Sequence, residues 1–250
     1  MSDEIVLLGV VVSSMPIGEY DKRVVLITET LGKIHAFARG ARRTGSQLMA
    51  GTETFTFGKF HLRNGKNAYS LTAVEVENYF DPLRKDVIRA YYGFYFLELA
   101  AYFARENIDE KEMLVLLYQS FRALIADNEA LPPRFIRALF ELKLLFQEGY
   151  LPRLDACVAC GNTDDVAAFS VRGGGLVCRD HVDRYPDSQE VDASVVHALR
   201  YIAATPSARL YTFSLGEKGK TALIRLADSY RKVYTDGEFH ALDMIEVLDV

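Results

Sequence analysis

The three cysteines of this 250-residue chain lie in one short region, together with a histidine. Cys157 and Cys160 form a C-x2-C pair, and Cys178 and His181 follow as a C-x2-H pair. A two-residue gap lets both side chains of a pair point at one ion, and the spacer between the pairs is long enough for a short hairpin. Four such ligands suit a tetrahedral Zn²⁺ and leave no position open for water or substrate. The spacing therefore predicts a structural zinc site rather than a catalytic one.

Two other uses of these cysteines stay open. They could be unrelated reduced thiols, with His181 on a surface loop. A redox role for the Cys157–Cys160 pair is disfavoured, because no βαβ pattern surrounds it. An odd number of cysteines argues against a disulfide framework. Chance placement is a poor explanation, since every cysteine of the chain belongs to the cluster.

A basic segment stands out against the acidity of the chain. The formal net charge is −5, so attraction to nucleic-acid phosphates must come from a local patch. Between Thr30 and Val74 the only acidic residue is Glu53, and cations and aromatic side chains are interleaved there. Cations for phosphates and aromatic faces for bases are the chemistry of single-strand binders. The candidate nucleic-acid contacts are Tyr20, Lys22, Lys33, Arg39, Arg42, Arg43, Arg63 and Lys66.

A solvated barrel face without a ligand is the plainer explanation of this segment. We prefer it for most of the phenylalanines, because alternation along a strand places Phe55 and Phe57 on one face, toward the core. The patch as a whole is stronger evidence for nucleic-acid binding than any single arginine.

The first 80 residues carry strand signals. Asn64-Gly65 is a strong hairpin signal between two apolar runs. Five strands with a long connection between the third and fourth favour a small Greek-key barrel of the OB type. An SH3-like barrel remains the alternative. The predicted strands are 5–13, ended by the Met15-Pro16-Ile17-Gly18 segment, then 23–28, 33–39, 52–63 and 68–76.

Helical signals begin at Asp81-Pro82, where Asp suits the N-cap and Pro the first helical position. A capping box of Asp109 and Glu112 opens a second helix. The predicted helices are 82–103, 109–125, one after Pro132-Pro133 that stops at Gly149, 193–204 and 218–234. Residues 169–172 and 176–177 are expected to form a hairpin around Gly173-Gly174-Gly175. We therefore predict an α+β fold. An OB-type barrel at 1–80 precedes a helical domain at 81–250, which carries a zinc ribbon or finger insert at about 151–189.

Enzyme signatures are missing from the sequence. It contains no P-loop, no H-E-x-x-H, no G-x-S-x-G and no dinucleotide fingerprint. No apolar run is long enough to cross a bilayer. The N-terminal residues begin with acids and lack the basic start of a signal peptide. We therefore expect a cytoplasmic, non-enzymatic protein without a membrane or small-molecule partner.

The order of motifs along the chain resembles the bacterial RecO family of recombination mediators. The matching stretches are Gly18-Glu19-Tyr20-Asp21-Lys22, Thr28-Glu29 to Gly32-Lys33, Ala38-Arg39-Gly40-Ala41-Arg42-Arg43 with Ser46, Leu142-Lys143-Leu144-Leu145 to Gly149-Tyr150-Leu151-Pro152, and the Gly-rich hairpin before Cys178. The resemblance is clearest over residues 5–185. The chain departs from the common pattern at His181, where many members have a fourth cysteine.

This resemblance implies an N-terminal OB domain, a helical domain and a zinc finger. It implies a DNA repair and recombination mediator, associated with the bacterial nucleoid, that binds single- and double-stranded DNA. Such a protein anneals strands and loads recombinase onto DNA coated by single-strand-binding protein. The implied partners are RecR and the C-terminal tail of single-strand-binding protein. The helical domain would offer a groove for such an acidic, apolar tail, and Arg134, Arg137 and Lys143 are candidates for its basic rim. The alternative is a zinc-containing RNA-binding or ribosome-associated OB module.

Overall fold

The computed structural model describes residues 4–65, 68–126 and 128–248. Their contacts group the chain into two compact units, one within Met1–Ile125 and Phe239–Val250 and the other within Ala126–Glu238. The predicted division into an OB-type barrel domain at 1–80 and a helical domain at 81–250 stays a prediction.

The N-terminal strands form a closed five-stranded barrel, as expected for an OB-type fold. Strand order is β1-β2-β3-β5-β4. Neighbours are antiparallel except β3 and β5, which run parallel; in the part of the chain that the structure describes, they pair at Ala36–Tyr69 and Phe37–Ser70. The strands are β1 (Glu4–Ile17), β2 (Asp21–Thr28), β3 (Gly32–Ala38), β4 (Phe57–Arg63) and β5 (Tyr69–Asn78). The core holds the inward residues of these strands, including Val24, Leu26, Ile34, Ala36 and Phe60.

The first strand is longer than predicted, because Met15-Pro16 does not end it. Pro16 lies opposite Lys22 of β2, whereas β4 pairs with β1 only as far as Val10. Val11 still exchanges backbone hydrogen bonds with Phe55 and Thr56. Beyond it, β2 is the one strand that pairs with β1 among the described residues, and a proline that lacks an N–H is tolerated at such a free edge.

The connection between β3 and β4 contains a short helix that was not predicted, α1 (Leu48–Gly51). The fourth strand starts at Phe57 rather than at residue 52. Phe55 is buried, as expected, but it is not part of the strand and has a positive φ of 73°. Its ring lies 5.4 Å from that of Phe121. A tertiary contact, rather than strand alternation, thus buries this side chain.

The remaining helices are α2 (Asp81–Lys85), α3 (Val87–Phe103), α4 (Lys111–Ile125), α5 (Pro133–Gln147), α6 (Ala193–Ala204), α7 (Glu217–Tyr234) and α8 (His240–Leu248). The prediction of one helix from Asp81 was wrong. Asp86 has extended backbone angles, interrupts the helix, and accepts a hydrogen bond from the Arg89 N–H as the N-cap of α3. Asp192 caps α6, and Gly149 follows α5 with a φ of 94°, both as predicted. The helix α8 was not predicted.

In the second unit, α5 is buried on every side from Phe135 to Phe146. Arg137 and Lys143 therefore do not form the expected basic rim. Lys143 donates hydrogen bonds from its ammonium group to the carbonyls of Ile202 and Thr205, at the C-terminal end of α6. Arg137 pairs with Asp228 at 2.8 Å. These cations stabilise the packing of helices in this unit.

The predicted hairpin is present as β6 (Val166–Ser170) and β7 (Gly175–Cys178). A third strand, β8 (Ser188–Glu190), extends the sheet in the order β7-β6-β8. This small sheet carries one of the two cysteine-containing segments.

Candidate metal centre and nucleic-acid interface

Two turns bring the metal-ligand candidates together. In the first, the Cys157 carbonyl accepts a hydrogen bond from the Gly161 N–H, and Gly161 has a positive φ of 76° that suits glycine. The second turn begins where Cys178 ends β7, and a short 3-10 helix (Arg179–Arg184) then presents His181. A hydrogen bond from the Val158 N–H to the Leu176 carbonyl joins the two segments.

The four candidate ligand atoms converge on one point. All lie within 4.8 Å of one another. The Cys160 and Cys178 sulfurs are 3.8 Å apart, which is the separation that two Zn–S bonds of about 2.3 Å impose in a tetrahedron. Nδ1 of His181 lies 3.2 Å from the Cys178 sulfur. The donor set and its spacing fit a tetrahedral metal ion of the zinc type.

The surroundings of Cys157 and Cys178 shift the pKa values of the two thiols in opposite directions. Burial raises the pKa of Cys157, but backbone N–H groups of Cys178, Cys160 and Ala159 stabilise its thiolate and bring the pKa to about 6. Burial and the neighbouring thiols raise the pKa of Cys178 to about 11. Three neighbouring thiols repel one another when all are ionised, so the fully ionised state is unfavourable unless a cation lies between them. This is the chemistry of a site built around a positive ion.

The barrel presents a continuous outward row across β1, β2 and β3. Met15 lies opposite Arg23, and Arg23 lies opposite Phe37. Met15 and Phe37 are 62% and 40% exposed. Inward neighbours such as Val24 and Ala36 are fully buried, so alternation directs this row to the surface. The Arg23 guanidinium also lies 3.2 Å from Nδ1 of His35, on the same face.

The candidates Tyr20, Arg42 and Arg43 lie in two loops that contact each other, the turn between β1 and β2 and the loop after β3. The Arg42 guanidinium donates to the carbonyls of Gly18 and Glu19, and its backbone N–H donates to the Tyr20 carbonyl. The Arg43 guanidinium lies over the Tyr20 ring, 5.1 Å from its centre. The turn after β1 and the loop after β3, which carry two of the family-like motifs, thus form one structural feature.

Lys22 and Lys33 contact other groups of the protein through their ammonium groups. The Lys22 ammonium group pairs with the Glu53 carboxylate at 2.6 Å. Lys33 donates to the Ala101 carbonyl at 2.5 Å, and burial together with the nearby Arg105 lowers its pKa. These contacts stabilise the barrel and its junction with α3, so a DNA interface would rest on the other cations.

The remaining candidates differ in position. Arg39 is exposed and makes no hydrogen bond or ion pair with another described residue. Arg63 continues the outward row past β5 through Ser70, but its guanidinium lies 3.7 Å from the Glu4 carboxylate. Lys66 lies outside the described residues. Arg23 was not among the predicted contacts, although alternation with the apolar Val24 would have placed it on the outward face of β2; its position opposite Phe37 follows only from the register of β2 and β3.

Comparison with known proteins gives consistent matches along the chain. A family model described as "Recombination protein O N terminal" matches residues 1–80, and one described as "Recombination protein O C terminal" matches residues 84–243. The DNA repair protein RecO of Halalkalibacterium halodurans is 31% identical over 91% of this chain and 88% of its own length. Those of Acetivibrio thermocellus and Alkaliphilus metalliredigens are 28% and 30% identical, over 96% and 94% of this chain and 96% of each relative.

None of the described helices combines the length and apolar character needed to cross a bilayer.

Proposed function

Because the chain belongs to the RecO family of DNA repair proteins, we propose that it is a non-enzymatic recombination mediator. It binds single- and double-stranded DNA, promotes annealing of complementary strands, and helps to load recombinase onto DNA coated by single-strand-binding protein. RecR and the C-terminal tail of single-strand-binding protein are its proposed protein partners.

The observation that carries this proposal is the exposed barrel face with its two contacting loops. It combines cations with accessible apolar and aromatic side chains, namely Met15, Tyr20, Arg23, Phe37, Arg39, Arg42 and Arg43. Arginines there would neutralise phosphates, while Tyr20 and Phe37 would stack on unpaired bases. Such contacts hold the backbone and leave the hydrogen-bonding edges of most bases available for pairing. This is the chemical requirement for annealing.

We propose that Cys157, Cys160, Cys178 and His181 hold a structural Zn²⁺. A bound ion would offset two of the three negative charges of the thiolates and would cross-link the turn at Cys157 to the β6–β7 hairpin. All four protein ligands would be used, so the ion has no position for a substrate. The metal would maintain the shape of the second unit, whereas DNA binding is assigned to the barrel.

The DNA-binding assignment predicts a salt-dependent defect when Arg39, Arg42 and Arg43 are all changed to Ala. Affinity for single-stranded DNA should fall. The slope of log K against log salt should become shallower by up to about 2, since each phosphate contact contributes about 0.7 for single strands. Fluorescence anisotropy over a salt series measures both quantities.

A matched control removes three exposed cations from the second unit, as Lys218→Ala, Arg225→Ala and Lys232→Ala. It changes net charge equally and should leave the slope near that of the unmodified protein. Equal slopes for all three proteins would refute the barrel assignment.

Competition binding between RNA and DNA distinguishes the proposed mediator from the alternative, an RNA-binding or ribosome-associated module. Strong RNA preference without acceleration of DNA annealing would favour it. Annealing of complementary DNA strands would favour the mediator.

A further inference from the structure

Asp21 places a carboxylate between the two loops that carry the candidate DNA-binding cations. It is the first residue of β2 and lies opposite Ile17 at the end of β1. Its side chain is half-buried, and one carboxylate oxygen accepts a hydrogen bond from the Gly40 N–H at 2.7 Å. By charge alone, a carboxylate among cations repels DNA phosphates. Its contact with Gly40 is therefore the feature through which it could favour binding.

Gly40 is the residue at which the chain turns out of β3. Its φ of 67° lies in the left-handed region, which glycine adopts without strain. The Gly40 carbonyl accepts a hydrogen bond from the Arg43 N–H at 3.0 Å. A Cβ atom added at Gly40 would lie 3.6 Å from Cδ of Arg43, so the arginine side chain runs alongside this residue. The hydrogen bond between Gly40 and Asp21 thus fixes the backbone against which the Arg43 side chain packs.

The far end of the Arg43 side chain lies on the ring of Tyr20. The guanidinium carbon is 5.1 Å from the ring centre, within the range of a cation–π contact. Tyr20 immediately precedes Asp21, so the contacts form a closed ring that runs from Asp21 through Gly40 and Arg43 back to Tyr20. Among the described residues, no carboxylate pairs with Arg43. Its guanidinium is therefore held in place by an aromatic face and keeps its N–H donors for a phosphate.

The middle of the loop after β3 is held by separate contacts. Ala41 is fully buried in the barrel core. Arg42 donates from its backbone and its guanidinium to three carbonyls of the turn between β1 and β2. Loss of the Asp21 acceptor would therefore loosen the first turn of the loop, at Gly40, while Ala41 continues to anchor the loop to the barrel.

We propose that Asp21 is a positioning residue for DNA binding, which holds Arg43 on Tyr20 by way of Gly40 and so presents the guanidinium to a phosphate. The inference rests on the proposed DNA-binding function and gives an acidic residue of the same surface a favourable role. A side chain that is already held loses less conformational entropy on binding than a mobile one does. Removal of this negative charge should weaken DNA binding, which is the opposite of what charge alone predicts.

The test compares Asp21→Ala, Asp21→Asn and Glu77→Ala, each of which removes one negative charge. Fluorescence anisotropy over a salt series gives the affinity for a labelled oligomer of deoxythymidine. Asp21→Ala should lower this affinity about two- to ten-fold, as expected for loss of one hydrogen bond that orders the site. The slope of log K against log salt should become shallower by up to about 0.7, the contribution of one phosphate contact. Asp21→Asn keeps an acceptor oxygen for the Gly40 N–H and should bind at least as tightly as the unmodified protein.

Glu77→Ala is the matched control, because Glu77 is an exposed carboxylate on β5, outside both loops. Its affinity should equal or slightly exceed that of the unmodified protein. The proposal is overturned if Asp21→Ala binds as tightly as Glu77→Ala. It is also overturned if Asp21→Asn is as weak as Asp21→Ala.

A double-mutant cycle shows whether Asp21 acts through Arg43. In an Arg43→Ala background, Asp21→Ala should have little further effect on affinity, since the guanidinium that it positions is gone. Equal losses in the two backgrounds would indicate a general effect on the barrel and would contradict the proposal.

Thermal unfolding establishes whether Asp21→Ala is folded. Should it not fold, hydrogen exchange at the Gly40 amide of the unmodified protein decides the matter. Slow exchange supports the contact with Asp21, and exchange as fast as in an unstructured peptide overturns it. Failure of the unmodified protein to bind the oligomer would instead sink the DNA-binding proposal, and this inference with it.

Discussion

His181 is the one candidate metal ligand that is not a cysteine. Its imidazole nitrogen lies beside the Cys178 sulfur, on a 3-10 helix that the sequence spacing did not specify. A Cys side chain could also supply a ligand at this position, as the family resemblance implies. The identity of the fourth ligand is therefore open to direct test.

We expect His181→Ala to lower zinc content well below one ion per chain and to destabilise the second unit. His181→Cys should retain about one ion, because a thiolate replaces the imidazole in the tetrahedral site. Metal analysis of protein purified without chelator, combined with thermal unfolding, measures both effects. Full zinc content in His181→Ala would show that the histidine is not a ligand.

Tyr20 and Phe37 are the exposed aromatic side chains on the proposed DNA face. Replacing both with Ala should weaken single-stranded DNA binding by about 1–3 kcal/mol for each base that loses its stacking partner. Double-stranded DNA should be affected less, since its bases are already stacked.

Tyr79→Ala provides the matched control, because Tyr79 is similarly exposed, at 38%, just after β5. Binding of the two DNA forms by each variant can be compared by anisotropy. A loss in Tyr79→Ala equal to that of the double variant would contradict the assignment of the face.

Sequence reasoning identified residue types better than residue surroundings. The spacing of the cysteines was sufficient to predict a cluster whose atoms do converge. The roles of the barrel cations were harder to predict, because the charge of a side chain does not show which group of the protein it contacts. Lys22 and Lys33 were candidate DNA contacts like Arg39, yet Lys22 pairs with Glu53 and Lys33 donates a hydrogen bond to the end of α3. Only tertiary structure distinguishes a structural cation from an available one.

At the scale of elements, the start of α3 offers a test of local capping. Asp86 accepts the Arg89 N–H, whereas Asp81 makes an exposed ion pair with Arg84. Asp86→Ala should reduce the free energy of unfolding by about 1 kcal/mol. Asp81→Ala should cost less, about 0.5 kcal/mol or below. Denaturant unfolding of the two variants measures the difference, and a larger loss in Asp81→Ala would contradict the assigned cap.

Elements with strong local signals were predicted well. Asp192 and Gly149 bound their helices as expected, and the glycine-rich turn forms the β6–β7 hairpin. The missed elements depend on tertiary contacts. The short helix α1 packs on β5, where Gly51 lies close to Val74. The helix α8 packs on α3, where Glu98 accepts the Ala241 N–H. Neither contact is visible in a local window of sequence.

At the scale of the whole molecule, the proposed metal centre and DNA face belong to different compact units. A structural ion and a DNA-binding surface can therefore be altered independently. Changes at the cysteines are expected to lower the stability of the second unit, while changes on the barrel are expected to lower DNA affinity. Membership of the RecO family links both units to DNA repair.

The central claim is that the basic, aromatic face of the barrel handles DNA strands. Its most direct test is the annealing rate of complementary oligonucleotides, measured with and without bound single-strand-binding protein. The unmodified protein and the Lys218, Arg225 and Lys232 control should accelerate annealing, and the Arg39, Arg42 and Arg43 to Ala variant should not. Annealing by that variant at the unmodified rate would contradict the account.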